Sequence, residues 1–241
     1  MIDKSQIELP QPNELRQPVL HKCNVTSSAI SETYLMDCIE GMKHYPDKWF
    51  DLAVVDPPYG IGMDNQHKRT KPNRPNSYTN YKPIKYNISK WDNEVPTLEY
   101  FTELYRVSKE QIIWGANYFC QMIPNGKGWI YWDKQMGDNN FSSGEFAYQS
   151  LQIKSSCFSY PSDRSQERIH PTEKPITLYD WIFTRYAEEG QRVLDTHLGS
   201  GSSRIAAHKN KLNFVGFEID KEYFDKQEKR FANYVSQLRM F

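Results

Sequence analysis

The chain has 241 residues, of which 38% are hydrophobic and 25% are charged, which suits a packed globular protein of one large or two small domains. The 30 basic and 30 acidic side chains cancel, so the net charge alone gives no sign of a nucleic-acid partner. The four cysteines are far apart and form no CxxC pair, which argues against a zinc site and against a disulfide scaffold.

Targeting and metal-binding patterns are missing from the sequence. The opening residues are polar, so we expect no signal peptide, and no apolar run of about 18 residues predicts a membrane span. The six histidines show no metal-ligand spacing, so we expect no metal. A cytoplasmic enzyme, bacterial or phage-encoded, is the simplest class.

The first two thirds of the sequence alternate short apolar runs with polar segments. Residues 1–28 are polar and contain several prolines, which predicts an irregular arm. Strands are predicted at 34–37, 50–56, 111–114, 127–133 and 145–149, where short apolar runs are bounded by turn residues. Residues 97–108 carry apolar side chains at helical spacing, and Pro96 and Thr97 mark the start of this predicted helix.

The last third of the sequence has clearer elements. They are a helix at 176–188, a strand at 192–195, a helix at 202–208, a strand at 214–219 and a helix at 221–238. Gly190 is placed to end the first of these helices. Strands that alternate with helices predict a parallel sheet covered on both faces.

A glycine-rich turn joins the strand at 192–195 to the following helix, in the stretch VLDTHLGSGSSRIAA. Glycines let the backbone approach a ligand, and Glu218 on the next strand is placed to bind ribose hydroxyls. The spacing is not GxGxxG, and no lysine follows as in a phosphate loop. These features favour a nucleoside without a pyrophosphate, such as S-adenosylmethionine. The alternative is a tight strand-to-helix turn that binds no ligand.

The order of the predicted strands indicates a circular permutation. A ligand site on an open sheet lies where the strand order reverses, and the cofactor half needs a third strand after the helix at 221–238. No sequence remains there to form one. The short strand ending at Asp37 is the candidate that completes the sheet. The half with the reactive residues then comes first in the chain, and the cofactor half comes last.

The stretch VVDPPYGIG ends an apolar strand with a carboxylate, two prolines and an aromatic ring. A nucleobase amino group is a poor nucleophile, so its methylation needs acceptors for both N–H groups and a ring for stacking. Asp56 and the carbonyl of Pro57 are the two acceptors, and the adjacent prolines stiffen the backbone and remove competing donors. Tyr59 offers a flat face to an extruded base. The alternative is an ordinary strand end with a surface aspartate.

Three stretches, DLAVVDPPYG (51–60), IHPTEKP (169–175) and VLDTHLGSGSSRIAA (193–207), resemble the amino-group DNA methyltransferases that use S-adenosylmethionine. The chain is most similar to the permuted subgroup, in which DPPY comes first and the cofactor loop last. The resemblance implies a doubly wound, mostly parallel, seven-stranded Rossmann-like α/β sheet. It also implies methylation of adenine N6, because the N4-cytosine members more often begin the motif with serine.

The resemblance assigns roles to individual residues. The catalytic residues are Asp56, Pro57, Pro58 and Tyr59, with Asp56 also beside the cofactor. The cofactor-binding residues are Asp37 and Cys38 at the adenine, Glu218 at the ribose, Asp195, Gly199, Ser200, Gly201 and Ser202 at the methionine part, and His170, Thr172 and Lys174 in a segment that closes over it. The family has Pro-Phe after the loop aspartate, where this chain has Thr196 and His197. We therefore expect His197 to pack there as a flat ring beside the cofactor, and we count it among the cofactor-binding residues.

A basic stretch at 61–90 follows the DPPY motif directly. Seven lysines and arginines against one aspartate give it a charge of about +6, and tyrosines are interleaved. Basic side chains contact phosphates and aromatic rings stack on bases, so we expect DNA binding here. The alternative is a solvated loop. The predicted DNA-binding residues are Lys68, Arg69, Lys71, Arg74, Tyr78, Tyr81, Lys82, Lys85, Arg164 and Arg168.

We expect a single methyltransferase domain over 1–241. Its catalytic half is 29–133, a small target-recognition insert is 134–170, and the cofactor half is 171–241. The short insert implies a short target site, a homodimer that shares recognition, or loose specificity. The main hypothesis is an N6-adenine methyltransferase of double-stranded DNA, with a cognate restriction nuclease as a further partner. The alternatives are N4-cytosine or RNA methylation, and a catalytically silent DNA-binding member.

Overall fold

A computed structural model describes residues 29–60, 95–125, 128–136, 142–161, 169–170 and 172–238. The elements are β1 (Ser31–Leu35), α1 (Cys38–Met42), β2 (Phe50–Val55), α2 (Leu98–Val107), β3 (Ser108–Trp114), β4 (Gly128–Asp133), β5 (Gly144–Gln149), β6 (Ser156–Ser159), α3 (Ile176–Tyr186), β7 (Arg192–Asp195), α4 (Ser202–Lys209), β8 (Asn213–Glu218) and α5 (Lys221–Leu238). None of the helices in these ranges is long and apolar enough to cross a membrane.

The strands form one sheet in the order β1-β8-β7-β2-β3-β5-β4-β6. Among the described strands, only β5 runs antiparallel to its neighbours β3 and β4, so the sheet is mostly parallel, as predicted. In the described part of the chain the sheet has eight strands rather than the predicted seven, because β6 pairs in parallel with β4 at one edge. Its four residues alternate between half-buried and exposed, so the sequence there lacks the apolar run of a central strand.

The predicted permutation is confirmed at the other edge of the sheet. The strand β1 pairs in parallel with β8, with Leu35 opposite Glu218. The first described strand, β1, therefore completes the half of the sheet that contains β7 and β8. The remaining neighbour of β8 is β7, which in turn pairs with β2.

Two apolar layers cover the two faces of the sheet. On one face, side chains of α3 and α4 pack on Leu52 and Val54 of β2. On the other face, side chains of α2 pack on Ala53 and Val55 of the same strand. Burial on both faces explains why β2 is a continuous apolar run instead of an alternating one.

The ends of two helices test the sequence-based boundaries. The Thr97 hydroxyl accepts a hydrogen bond from the Tyr100 N–H at 3.3 Å, so Thr97 caps α2 as predicted. The prediction that Gly190 ends α3 is wrong, because the helix ends at Tyr186 and its cap is Ala187. Gly190 lies in the following turn with φ +86°, and its N–H donates to the Lys211 carbonyl at 3.0 Å.

Candidate active site

The candidate site lies where the strand order reverses, between β7 and β2. These strands pair in parallel, with Leu52 opposite Val193, so their carboxyl ends meet at one edge of the sheet. Asp56 follows β2 directly, and Asp195 is the last residue of β7. Burial raises the pKa of Asp195, and the negative charge of Asp56 adds to this rise, because the two carboxyl groups are close enough to interact.

Both carboxylate oxygens of Asp56 accept hydrogen bonds from side chains. The Tyr59 hydroxyl donates to Oδ1 at 2.5 Å, and the Lys174 ammonium group donates to Oδ2 and also forms an ion pair with it. Burial raises the pKa of Asp56, and the neighbouring ammonium group opposes this rise. Two donors, Tyr59 and Lys174, therefore fix the position of the Asp56 carboxylate, which directly precedes the stiff Pro57–Pro58 step.

The ring of Tyr59 is held between a second tyrosine and a glycine. It stacks on the ring of Tyr118, with centroids 5.0 Å apart and planes 16° from parallel. Gly115, at the turn after β3, adopts φ +67°, and a Cβ atom there would lie only 2.0 Å from Tyr59 Cε1. Only a residue without a side chain at this turn leaves room for the Tyr59 ring.

Two further charged residues, Glu145 and Lys134, complete the surroundings of Asp56, and neither is among the site residues predicted from the sequence. Glu145 is the second residue of β5, and its carboxylate lies 3.0 Å from the Lys174 ammonium group. The Lys134 ammonium group, one residue after β4, pairs with the same carboxylate. Burial raises the pKa of Glu145, but Lys174 and Lys134 outweigh it and hold this pKa at about 2.

The predicted cofactor turn has left-handed backbone at Gly199 and Gly201, with φ +51° and +73°. The Gly199 N–H donates to Glu218 Oε2 at 2.8 Å, which links the turn to the carboxyl end of β8. A Cβ atom at Gly201 would lie 3.0 Å from Gln227 Cβ on α5, so close helix packing also favours glycine there. The turn thus keeps its backbone near the edge of the sheet at which Glu218 ends β8.

The Asp195 carboxylate is hydrogen-bonded on both sides of this turn. Its Oδ1 accepts from the His197 N–H at 3.0 Å, and its Oδ2 accepts from the Ser203 hydroxyl at 2.5 Å. Burial raises the pKa of Asp195 to about 7 in spite of these two donors. The His197 ring packs edge-on against Tyr100 at 5.5 Å between ring centroids.

The segment that contains His170 and Thr172 lies against the same turn. The position of a Cβ atom on Gly199 would be 3.7 Å from the His170 ring, and that ring contacts Tyr223 with centroids 4.5 Å apart. Burial lowers the pKa of His170 to about 3, so the ring is neutral near pH 7. The Thr172 hydroxyl lies 3.1 Å from its Nδ1.

Arg230 of α5, which the sequence analysis did not single out, ties this segment to the glycine turn. Its Nη1 donates to the Ser200 carbonyl at 3.0 Å, and its Nη2 pairs with Glu173 at 2.8 Å. The second oxygen of the Glu173 carboxylate accepts from the Ile169 N–H at 3.0 Å. One guanidinium group therefore fixes two of the stretches that the resemblance assigns to the cofactor.

The remaining predicted cofactor residues lie at the end of β1. The Asp37 carboxylate caps α1, accepting from the Ile39 and Glu40 N–H groups. Cys38 is half-buried, and burial followed by the charge of Asp37 raises its pKa to about 12, so its thiol is protonated. Since β1 neighbours β8, both residues lie on the Glu218 side of the glycine turn.

These residues fit a nucleoside cofactor that lacks phosphates. The glycines carry no side chains, Glu218 offers an acidic acceptor, and no basic side chain stands in the Ser200–Ser202 turn to neutralise a phosphate. Among the described residues, no group of three or more His, Cys, Asp or Glu side chains could hold a metal ion. All ten predicted DNA-binding residues lie outside the described ranges.

A family model described as DNA methylase matches residues 66–229. The chain belongs to this family of DNA methylases. It is 24% identical to the Type II methyltransferase M2.MboI of Moraxella bovis over 86% of this chain and 89% of the relative. The enzyme is thus an S-adenosylmethionine-dependent DNA amino-methyltransferase, of the class that methylates adenine N6 or cytosine N4.

Two solved structures share the fold of this DNA methylase. The M1.HpyAVI complex with S-adenosylmethionine superimposes with a TM-score of 0.53 and 21% identity, over 83% of this chain and 98% of that one. The cytosine-N4-specific PvuII DNA methyltransferase superimposes with a TM-score of 0.54 and 11% identity, over 87% of this chain and 93% of the other. Their likeness establishes the Rossmann-like α/β architecture of the methylase sheet.

Proposed function

We propose that this DNA methylase transfers the methyl group of S-adenosylmethionine to N6 of adenine in double-stranded DNA, and that the target base is turned out of the duplex. The observation that carries the proposal is the carboxylate of Asp56, which begins the motif where the N4-cytosine enzymes more often have serine. The location of Asp56 beside β7 and its glycine turn supports transfer from a cofactor bound there.

The roles of the four motif residues follow from their chemistry. The Asp56 carboxylate and the Pro57 carbonyl each accept one N–H of the target amino group, which concentrates the lone pair on nitrogen. Pro58 stiffens the backbone so that the two acceptors keep their spacing. The Tyr59 ring, supported by Tyr118, stacks on the extruded base.

The cofactor supplies an electrophilic methyl group, and the residues of the chain hold and orient it. Glu218 accepts from the ribose hydroxyls, and the backbone of the glycine turn lies along the methionine part with Ser200 and Ser202. The other proposed cofactor-binding residues are Asp37, Cys38, His170, Thr172, Lys174, Asp195 and His197. Alignment of the amino nitrogen with the methyl carbon supplies much of the rate.

The basic segment at 61–90 is the proposed contact with DNA phosphates, and Arg164 and Arg168 are the proposed contacts of the recognition insert. We also propose a single domain organised in the three parts described from the sequence. The Type II methyltransferase relatives support a role beside a cognate restriction nuclease in a bacterial cytoplasm. A homodimer would let two short recognition inserts read one site.

The test compares methylated nucleosides in DNA from cells that express the wild type, Asp56→Ala or Glu189→Ala. We expect N6-methyladenine with the wild type and none with Asp56→Ala, because the variant lacks an acceptor for the amino group. Glu189→Ala is the matched control, since this exposed acid pairs with Lys211 on the surface. Calorimetry should give both variants nearly unchanged affinity for S-adenosylmethionine. N4-methylcytosine in place of N6-methyladenine would replace the adenine assignment, and full activity of Asp56→Ala would refute the catalytic one.

A further inference from the structure

Four charged side chains form a continuous chain that begins at the proposed acceptor. Asp56 pairs with Lys174, Lys174 pairs with Glu145 at 3.0 Å, and Glu145 pairs with Lys134. The Lys174 side chain is only 3% exposed, and those of the other three are between 16% and 22% exposed. Water therefore screens these charges poorly, so each affects its neighbours strongly.

The cluster joins elements that are distant in sequence. Asp56 follows β2, Lys174 precedes α3, and Lys134 and Glu145 lie on the β4–β5 hairpin. The hairpin is antiparallel, with Asp133 opposite Gly144 and Trp132 opposite Glu145, so Lys134 and Glu145 are diagonal neighbours on one face of the sheet. The Tyr59 hydroxyl, 3.5 Å from Glu145 Oε2 and 2.5 Å from Asp56 Oδ1, bridges the two carboxylates.

We propose that Glu145 is a positioning residue of the methyl-transfer site, which holds Lys174 and offsets its charge so that Asp56 can accept from the target base. This inference rests on the proposed function and adds a residue to it. Without Glu145, the Lys174 ammonium group would pair with Asp56 alone. Lys174 already pairs with Asp56 when Glu145 is present, and its charge, no longer shared with Glu145, would then hold the Asp56 carboxylate more strongly and oppose donation from the amino group.

The charge count of the cluster matches the chemistry of the transfer. Two carboxylates and two ammonium groups sum to zero. During transfer, the amino nitrogen bonds to the methyl carbon as the carbon–sulfur bond breaks, so the positive charge passes from sulfur to nitrogen. A proton then leaves this nitrogen for water. A surplus positive charge beside the nitrogen would oppose this step, and Glu145 removes that surplus.

The test is single-turnover methylation of DNA by the wild type, Glu145→Gln, Glu145→Asp and the double variant Glu145→Gln with Lys134→Gln. We expect Glu145→Gln to be at least tenfold slower, with affinity for S-adenosylmethionine within about twofold of the wild type. Glu145→Asp keeps the charge and should recover part of the rate. The double variant restores the zero charge and should also recover part of it, which a purely structural role would not produce.

Three outcomes would overturn the inference: an unchanged rate for Glu145→Gln, equal losses for the single and double variants, or no recovery with Glu145→Asp. If Glu145→Gln does not fold, Lys134→Gln alone decides, because it makes the cluster more negative and should be no slower than the wild type. A tenfold slower Lys134→Gln would overturn the inference. A wild type that methylates no DNA would instead refute the proposed function.

Discussion

Gly115 offers the sharpest test of how the site is built, because it separates backbone strain from displacement of the Tyr59 ring. In Gly115→Ala, the new Cβ atom would lie 2.0 Å from Tyr59 Cε1, where ordinary contact begins at 3.4 Å. The ring must therefore move by roughly 1.4 Å, and a displacement of about 1 Å can cost about 100-fold in rate. The φ of +67° adds about 1–2 kcal/mol of strain for alanine.

The matched control is Gly190→Ala. Gly190 has a similar left-handed φ of +86°, but a Cβ atom there would meet nothing within 4 Å. We expect Gly190→Ala to lose about 1–2 kcal/mol of unfolding free energy, which lowers Tm by about 2–8 °C in a protein of this size, and Gly115→Ala to lose at least as much. Only Gly115→Ala should lose methylation, by about 100-fold, while its cofactor affinity stays near that of the wild type.

The assay combines thermal unfolding, calorimetric titration with S-adenosylmethionine, and single-turnover methylation of DNA at saturating cofactor. A Gly115→Ala variant that keeps more than a tenth of the wild-type rate would refute the reasoning about the ring. Equal losses of rate in both glycine variants would also refute it, because strain alone would then explain the effect.

Three further predictions address stability and DNA binding. Burial raises the pKa of Asp195 from 3.8 to about 7, so the free energy of unfolding falls by about 4 kcal/mol as pH rises from about 4 to 7. Asp195→Asn should therefore gain about 4 kcal/mol at pH 8 and nothing at pH 4 in cofactor-free urea unfolding. Burial lowers the pKa of His197 to about 4, so stability falls as pH drops from about 6.5 to 4, and His197→Phe should flatten this acid loss in the same assay. Neutralising Lys68, Arg69 and Lys71 should reduce the slope of DNA affinity against salt by about 3, and an unchanged slope in a titration series would remove this segment from the interface.

The sequence predicted the parts of the site that parallel strands bring together. Carboxyl ends of adjacent parallel strands meet at one edge, so Asp56 and Asp195 could be placed together from two strand assignments and the permutation. The strand 192–195 was predicted with its observed bounds, and the pairing of β1 with β8 confirmed the permutation. These features depend on apolar runs and strand order, which are local signals.

The sequence did not predict the parts that depend on side chains from antiparallel strands and turns. Glu145 lies far from Asp56 in the sequence and reaches it only because β5 pairs antiparallel with both β3 and β4. A single glutamate in a strand carries no sequence signal of its partner. The contact of Gly115 with Tyr59 depends on the path of two separate loops, which no local sequence pattern predicts.

The permuted strand order has a consequence for how this protein is made. The apolar strand β2 leaves the ribosome long before its neighbour β7, since Leu52 pairs with Val193. At about 5–20 residues per second, one flank of β2 stays without its partner for roughly 7–28 s. During that interval the edge of β2 that later pairs with β7 is open to other nascent chains, and neither β3 on the opposite edge nor α2 on one face covers it.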